Sequence, residues 1–325
     1  MTQVSKISNG WITASWLLSA AACVAALFLF FPAGAQADKT GFCLPAPGEW
    51  FATSRYLSWG LNTAILYICC ASCYALNKRY YFVKSTDGVF SSLFLLLTAC
   101  NPYVAHSFTS AALLTPVAIL TLHLLFSNYR ERQSAQGLFV IATFCAVGAM
   151  AEHAFILVAA AALVGAIIMR CINFKSLMAF LMGLAAPFWV ALGFGLIKPE
   201  DFHMPYLTSA FAPKETLSAF IMMTGCGILF IIALLLALNN VVKLYAGNAK
   251  IRSENNVINI FGVFASLGMM IDYNNMTAYV GIFNMWVALQ VANLFAMWHI
   301  RKAWILYLII MAGALAICGA TILNS

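Results

Sequence analysis

Glu152-His153 sets a carboxylate beside an imidazole between two strongly apolar stretches, one of them the Ala-rich run Ala159 to Ala162. Burial there would keep the carboxyl from ionising and the imidazole from charging, which suits both groups to exchanging a proton near neutral pH; pairing with each other would oppose those shifts. Two further polar breaks interrupt apolar sequence in the same manner: Asn101-Pro102-Tyr103 with His106, and Asp272-Tyr273-Asn274-Asn275. Glu152 and His153 are thus candidate catalytic groups, and Asn101, His106, Asp272, Asn274 and Asn275 candidate substrate-binding groups.

The elements that must hold these residues follow from composition. Of 325 residues, 63% are hydrophobic and 8% charged, with mean hydropathy +0.91; a soluble domain carries about 25% charged residues, so a soluble globule is excluded. Runs such as Phe220 to Leu238 are apolar on every face, which a transmembrane barrel would not show. The expected fold is an all-α, polytopic transmembrane helical bundle. Its spans are expected near Trp11–Pro32, Tyr56–Leu76, Gly88–Cys100, Ser107–Phe126, Gly137–Met150, Ala154–Met169, Ser176–Ile197, Leu217–Leu238, Val257–Ile271, Thr277–Trp298 and Ala303–Leu323, about eleven in all. Loops of about twenty residues or fewer leave no soluble domain, so residues 1–325 form a single integral membrane domain.

With those spans the loop charges alternate. Lys6, Lys78, Arg79, Lys84, Arg130, Arg132, Arg170, Lys175, Lys243, Lys250, Arg252, Arg301 and Lys302, 13 of the 17 basic residues, fall on one side; Lys39, Arg55, Lys198 and Lys214 fall on the other. The positive-inside rule then places the amino terminus in the cytoplasm and the carboxyl terminus outside. The formal charge of +7 is read as orientation and contact with anionic lipid heads, with no clustered tract for nucleic acid. Ala35-Gln36-Ala37 reads as a signal-peptide cleavage site, but the apolar run Trp11 to Phe31 exceeds the ~7–15 residues of a signal core, so a retained span is expected.

Three stretches share a layout of Gly-Phe-type start, short apolar span, polar break, full span and basic exit; they lie near residues 88–130, 137–170 and 262–301. A helix of ~14 residues rises about 21 Å, while the hydrocarbon core is ~30 Å thick. The breaks are therefore expected below the outer surface, converging on a wet, outward-opening cleft, because irregular backbone at that depth must face protein or water.

Other features read as structural. The ten cysteines, including Cys69, Cys70 and Cys73 in one span, are expected to act as small apolar residues, and the five histidines are too scattered for a metal site. Asn284, Gln290 and Asn293 are expected to join helices by hydrogen bonds. No nucleotide loop or Gly-x-Ser-x-Gly elbow is present, so no cofactor is expected, and an ATP-driven pump and a serine hydrolase are disfavoured.

From Leu76 to Ile197 the order is Leu-Asn-Lys-Arg, a short span into Asn101-Pro102, a long span ending Asn128-Tyr129-Arg130, an Ala-rich hairpin and a Pro-containing span. This resembles a group of uncharacterised bacterial multi-spanning inner-membrane proteins, which implies a bacterial inner-membrane location. In architecture alone, the short loops and the acidic residues outside the first span are similar to polyprenyl-phosphate-dependent glycosyltransferases and O-antigen polymerases. That resemblance implies a catalytic carboxylate at Asp38 or Glu49 and a lipid-linked phosphate held by Arg55. The loop departs from the pattern in lacking paired acidic residues and multiple arginines.

Three readings follow: a handler of lipid-linked glycan or other envelope precursors, enzymatic or not; a secondary transporter; or a non-catalytic membrane subunit of an envelope complex. Membrane lipids are the expected partners in all three, with a lipid-linked precursor or another envelope membrane protein added according to the reading.

Overall fold

A computed structural model describes residues 3–30, 43–51, 53–83, 88–131, 134–198, 200, 202, 217–244, 248–297 and 300–323. Asp38, the Ala35-Gln36-Ala37 sequence, His203 and His299 lie outside the described residues. Among those described, the chain is all helical, with no strands. The helices are α1 (Gln3–Phe30), α2 (Arg55–Tyr80), α3 (Val89–Ala99), α4 (Pro102–Ala105), α5 (Ser110–Ser127), α6 (Ala135–Ala151), α7 (Ala154–Ile168), α8 (Phe174–Gly193), α9 (Leu217–Leu244), α10 (Ala249–Ile271), α11 (Met276–Met297) and α12 (Ile300–Leu323).

Each apolar segment read from the sequence contains one helix, and the single turn α4 is the addition. Asn101 creates it: its side chain accepts from Tyr103 N at 3.2 Å while Pro102 supplies a pre-set φ at the first helical position. Six helices, α1, α2, α5, α8, α9 and α11, are long and apolar enough to cross a membrane. Their outward faces carry large apolar side chains, among them Trp189 at 81% and Leu235 at 62% exposure, which water would not tolerate over so wide a surface. The chain is a helical membrane protein.

Three helices run well past their expected bounds: α1 starts at Gln3 where Trp11 was expected, α9 continues to Leu244 beyond Leu238, and α10 bears on the site. The helix before Asp272 was expected from Val257, but α10 starts at Ala249 and runs 23 residues, about 35 Å. Asn248 caps it by accepting from Lys250 N at 3.1 Å, and the following polar turns stay helical because helix formation does not require apolar residues. The polar break at Asp272 thus follows a long helix. The break at Asn101 follows α3, of only 11 residues, and that at Glu152 follows α6, of 17.

The centre of the bundle is α11, 94% of whose apolar stretch is buried against α3, α5, α9 and α10. Two glycines permit that approach: a Cβ on Gly281 would overlap Thr115 of α5, and one on Gly262 of α10 would overlap Trp286. Lipid tails are as apolar as leucine, so burial distinguishes helix neighbours weakly in a membrane, and close packing with interhelical hydrogen bonds decides the arrangement. The α11 amides supply those bonds. Asn284 donates to Thr98 Oγ1 at 3.4 Å, Gln290 to Asn259 Oδ1 at 2.6 Å and Asn293 to Asn255 Oδ1 at 3.2 Å.

Candidate functional site

Three breaks in the helical pattern meet at one end of the bundle: the start of α5, the α6–α7 turn, and the short 3-10 turn Tyr273–Asn275 between α10 and α11. Glu152 ties them together. Its Oε2 accepts from Ser110 Oγ at 2.8 Å, and its Oε1 from Asn275 Nδ2 at 2.7 Å. His153 extends the link, with Nε2 2.5 Å from Asp272 Oδ2 and Nδ1 3.0 Å from Glu152 Oε1; the latter is an ion-pair contact off the hydrogen-bonding direction. The Tyr279 hydroxyl stands 3.5 Å from Asp272 Oδ2.

The cluster is closed. Glu152 and Ser110 are wholly buried, and Asp272, Asn275 and His153 are 2%, 2% and 6% exposed. The segment before α2 lies over it, with Cys43 N and Leu44 N both donating to Met150 O, at 2.9 Å each. Residues expected around an open, wet cleft are instead packed against one another.

His153 lies in the turn, outside both helices. Burial pushes its imidazole down, but the bond to Asp272 and the nearby charges of Glu152 and Asp272 outweigh that and raise it from 6.5 to about 10. Pairing therefore wins over burial at this position. An imidazolium between two carboxylates forms a buried ion triad, whose removal of one partner is far more costly than its net contribution suggests. Asp272 Oδ1, Asn275 Oδ1 and Thr109 Oγ1 are buried here without a hydrogen-bond partner, so the cluster can still accept from a hydroxyl, an ammonium or water.

The structure brings together Glu152, His153, Asp272 and Asn275 of the residues singled out by sequence. Asn101 and His106 are also buried, at either end of α4, which packs on α11; Tyr103 of α4 lies against Tyr273 and Met276. Burial and the charge of Arg55 lower the pKa of His106. Glu49 and Arg55 are exposed: Glu49 sits in the 3-10 turn Pro47–Glu49, and Arg55 donates to Phe28 O at 2.6 Å with its guanidinium 5.1 Å from the Phe28 ring centre. Asn274 lies in the 3-10 turn, its side chain outside the described residues. Sequence reading missed Ser110 and Tyr279. Ser110 follows His106 closely in a polar stretch, and Tyr279 falls two turns after Asp272; only the pairing of distant segments shows that they matter.

Among the described residues, no group of three or more His, Cys, Asp or Glu side chains is arranged to hold a metal ion. A different kind of space lies beside the breaks. An apolar groove of about 580 Å³ runs between α3, α9, α11 and α12, bounded by Leu93, Ile228, Ile232, Val287 and Ile309. It shares Leu97, Gly225, Leu229, Ala314 and Ile317 with a smaller recess of about 40 Å³ that reaches Cys100, Asn101 and Asn284. The groove thus leads from an apolar wall to polar side chains at a helix break.

No protein-family model, no curated protein and no solved structure matches this chain.

Proposed function

We propose that this chain is a multi-pass protein of the bacterial inner membrane, amino terminus cytoplasmic, that binds an amphiphile with a lipid chain, such as a lipid-linked glycan or another envelope precursor. The observation that carries the reading is the groove between α3, α9, α11 and α12, which joins a wall apolar but for Thr224 to Asn101 and Asn284. An acyl or polyprenyl chain suits that wall because it gains close packing there without exposing polar groups. The polar part then lies near the α4 break, where the Asn101 and Asn284 side chains that line the recess suit a hydroxyl-bearing head group.

In this proposal His153 holds a proton beside Glu152 and Asp272, and the three fix the turns; direct proton transfer to a ligand requires the covered cluster to open. His106, at the other end of α4, is the further head-group contact in this reading. Native mass spectrometry of the purified chain tests the reading. One lipid species is expected to remain bound, and Ala314→Trp, which fills the groove where α12 faces α9, is expected to lose it. Equal retention by the variant would reject it.

A second reading, a secondary transporter, is favoured by one observation, the proton-holding triad at the junction of helix hairpins. Proton flux into vesicles that stops in Asp272→Asn would support it; its absence in wild-type vesicles would reject it.

A further inference from the structure

The end of the bundle opposite the carboxylate–imidazole cluster has the reverse character. There the chain leaves α5 at Tyr129-Arg130, leaves α7 at Arg170 and enters α10 through Arg252 and Ser253. These segments enclose a cavity of about 240 Å³ whose lining includes three arginines and no acidic residue. Arg130 and Arg170 are exposed at the mouth, and Arg252 is half-buried. Glu254, the nearest acid on α10, turns to Lys250 at 3.9 Å and takes no part in the lining.

The inner wall is built of amides. Asn240 and Gln290 line it at 2% and 1% exposure. Asn240 Nδ2 donates to Gln290 Oε1 at 2.9 Å and Gln290 O at 3.2 Å, and Gln290 Nε2 donates to Asn259 Oδ1 at 2.6 Å. Those bonds fix the Asn240 amide with its nitrogen committed. Its Oδ1 is buried without a partner. A buried acceptor beside a cavity calls for a donor from whatever fills the cavity.

A second observation concerns backbone. Arg130 and Arg170 both adopt left-handed conformations, φ 58° and 57°, as they leave their helices. For Arg170, directly after the α7 C-cap Met169, this is the position at which glycine ends a helix without strain; Arg130 follows the α5 C-cap Asn128 by two residues, in backbone that glycine also adopts freely. In two separate helices a guanidinium stands where the backbone favours no side chain, and both line the same cavity. Strained backbone kept at converging positions points to a task for the side chains.

We propose that this cavity binds a phosphate ester that also carries a hydroxyl, of the glycerol-phosphate class. The phosphate lies among Arg130, Arg170 and Arg252, whose forked N–H groups match phosphate oxygens, and the hydroxyl donates to Asn240 Oδ1. The same chemistry is offered by a soluble glycerol phosphate and by the head group of an anionic phospholipid reaching the mouth of the cavity. The site is separate from the apolar groove and does not depend on it.

The test uses the full chain in detergent, followed by thermal unfolding with sn-glycerol 3-phosphate, inorganic phosphate or glycerol, and by native mass spectrometry after addition of phosphatidylglycerol or phosphatidylethanolamine. Saturable stabilisation by glycerol phosphate, weaker by phosphate and absent with glycerol, supports the proposal with a soluble ligand. Preferential retention of phosphatidylglycerol supports it with a lipid head group. In either case Arg130→Gly and Arg170→Gly are expected to weaken binding about tenfold each while unfolding no earlier than wild type, since glycine suits both backbones. Asn240→Leu is expected to remove the advantage of glycerol phosphate over phosphate, or of phosphatidylglycerol over other anionic lipid. Should a glycine variant fail to fold, Arg252→Gln gives the same reading. Absence of binding by every probe, or unchanged binding in the arginine variants, overturns the proposal.

Discussion

The two polar ends of this bundle solve opposite problems. At one, Glu152, His153 and Asp272 are buried and bonded largely to each other and to Ser110 and Asn275, leaving little space between them. At the other, Arg130, Arg170 and Arg252 surround about 240 Å³ of space and meet a wall of amides that ends in an unpartnered oxygen. Polar groups that answer one another hold helices in place; polar groups arranged around a hollow are available to a ligand. The same residue types, charged and amide, therefore carry different weight at the two ends.

Truncation at the closed end is expected to cost most. His153→Leu leaves two buried carboxylates without their shared cation and should lower stability by about 3–5 kcal/mol, read by thermal unfolding in detergent. A loss below about 1 kcal/mol would show that the triad does not hold the turns. The pH dependence sharpens the point. Because the folded His153 value, about 10, lies above the unfolded value of about 6.5, the stability it contributes is complete below about pH 6.5 and is lost as pH rises through about 10. Wild-type unfolding temperature should fall across that window, and the slope should flatten in His153→Gln; an unchanged slope would assign the titration to another group.

A smaller effect belongs to the middle of the bundle, where Asn284→Leu removes a single 3.4 Å bond to Thr98 and should cost about 0.6 kcal/mol, the usual scale for one interhelical bond in a membrane. The smallest belongs to the open end. Arg170→Gly removes a charge but relieves a left-handed backbone, so stability should hold or rise by up to about 1 kcal/mol. A loss comparable to that of His153→Leu would erase the distinction between the two ends.

Much of the fold was legible because apolar runs mark membrane helices directly, and each expected segment holds a helix. The α10 boundary was not, since Lys250 to Asn256 is polar yet helical, and a hydropathy pattern registers the apolar part of a helix alone. Convergence of Glu152 with Asp272 and Asn275 could be anticipated from three similar breaks, but their closure could not: it depends on Ser110 and on Met150 O receiving Cys43 and Leu44, contacts between distant segments. The cationic cavity was hidden for the opposite reason. Arg130, Arg170 and Arg252 look like ordinary basic exits that orient a membrane protein, and only the fold shows them around one space.

Photocrosslinking in intact membranes tests the lipid-binding account most directly, with a photoreactive residue placed at Ile317 in the groove or at Leu181, which faces outward from α8 at 48% exposure. The account predicts that Ile317 captures one lipid species strongly enriched over the membrane average, while Leu181 captures the average. The same lipid profile at both positions would contradict it.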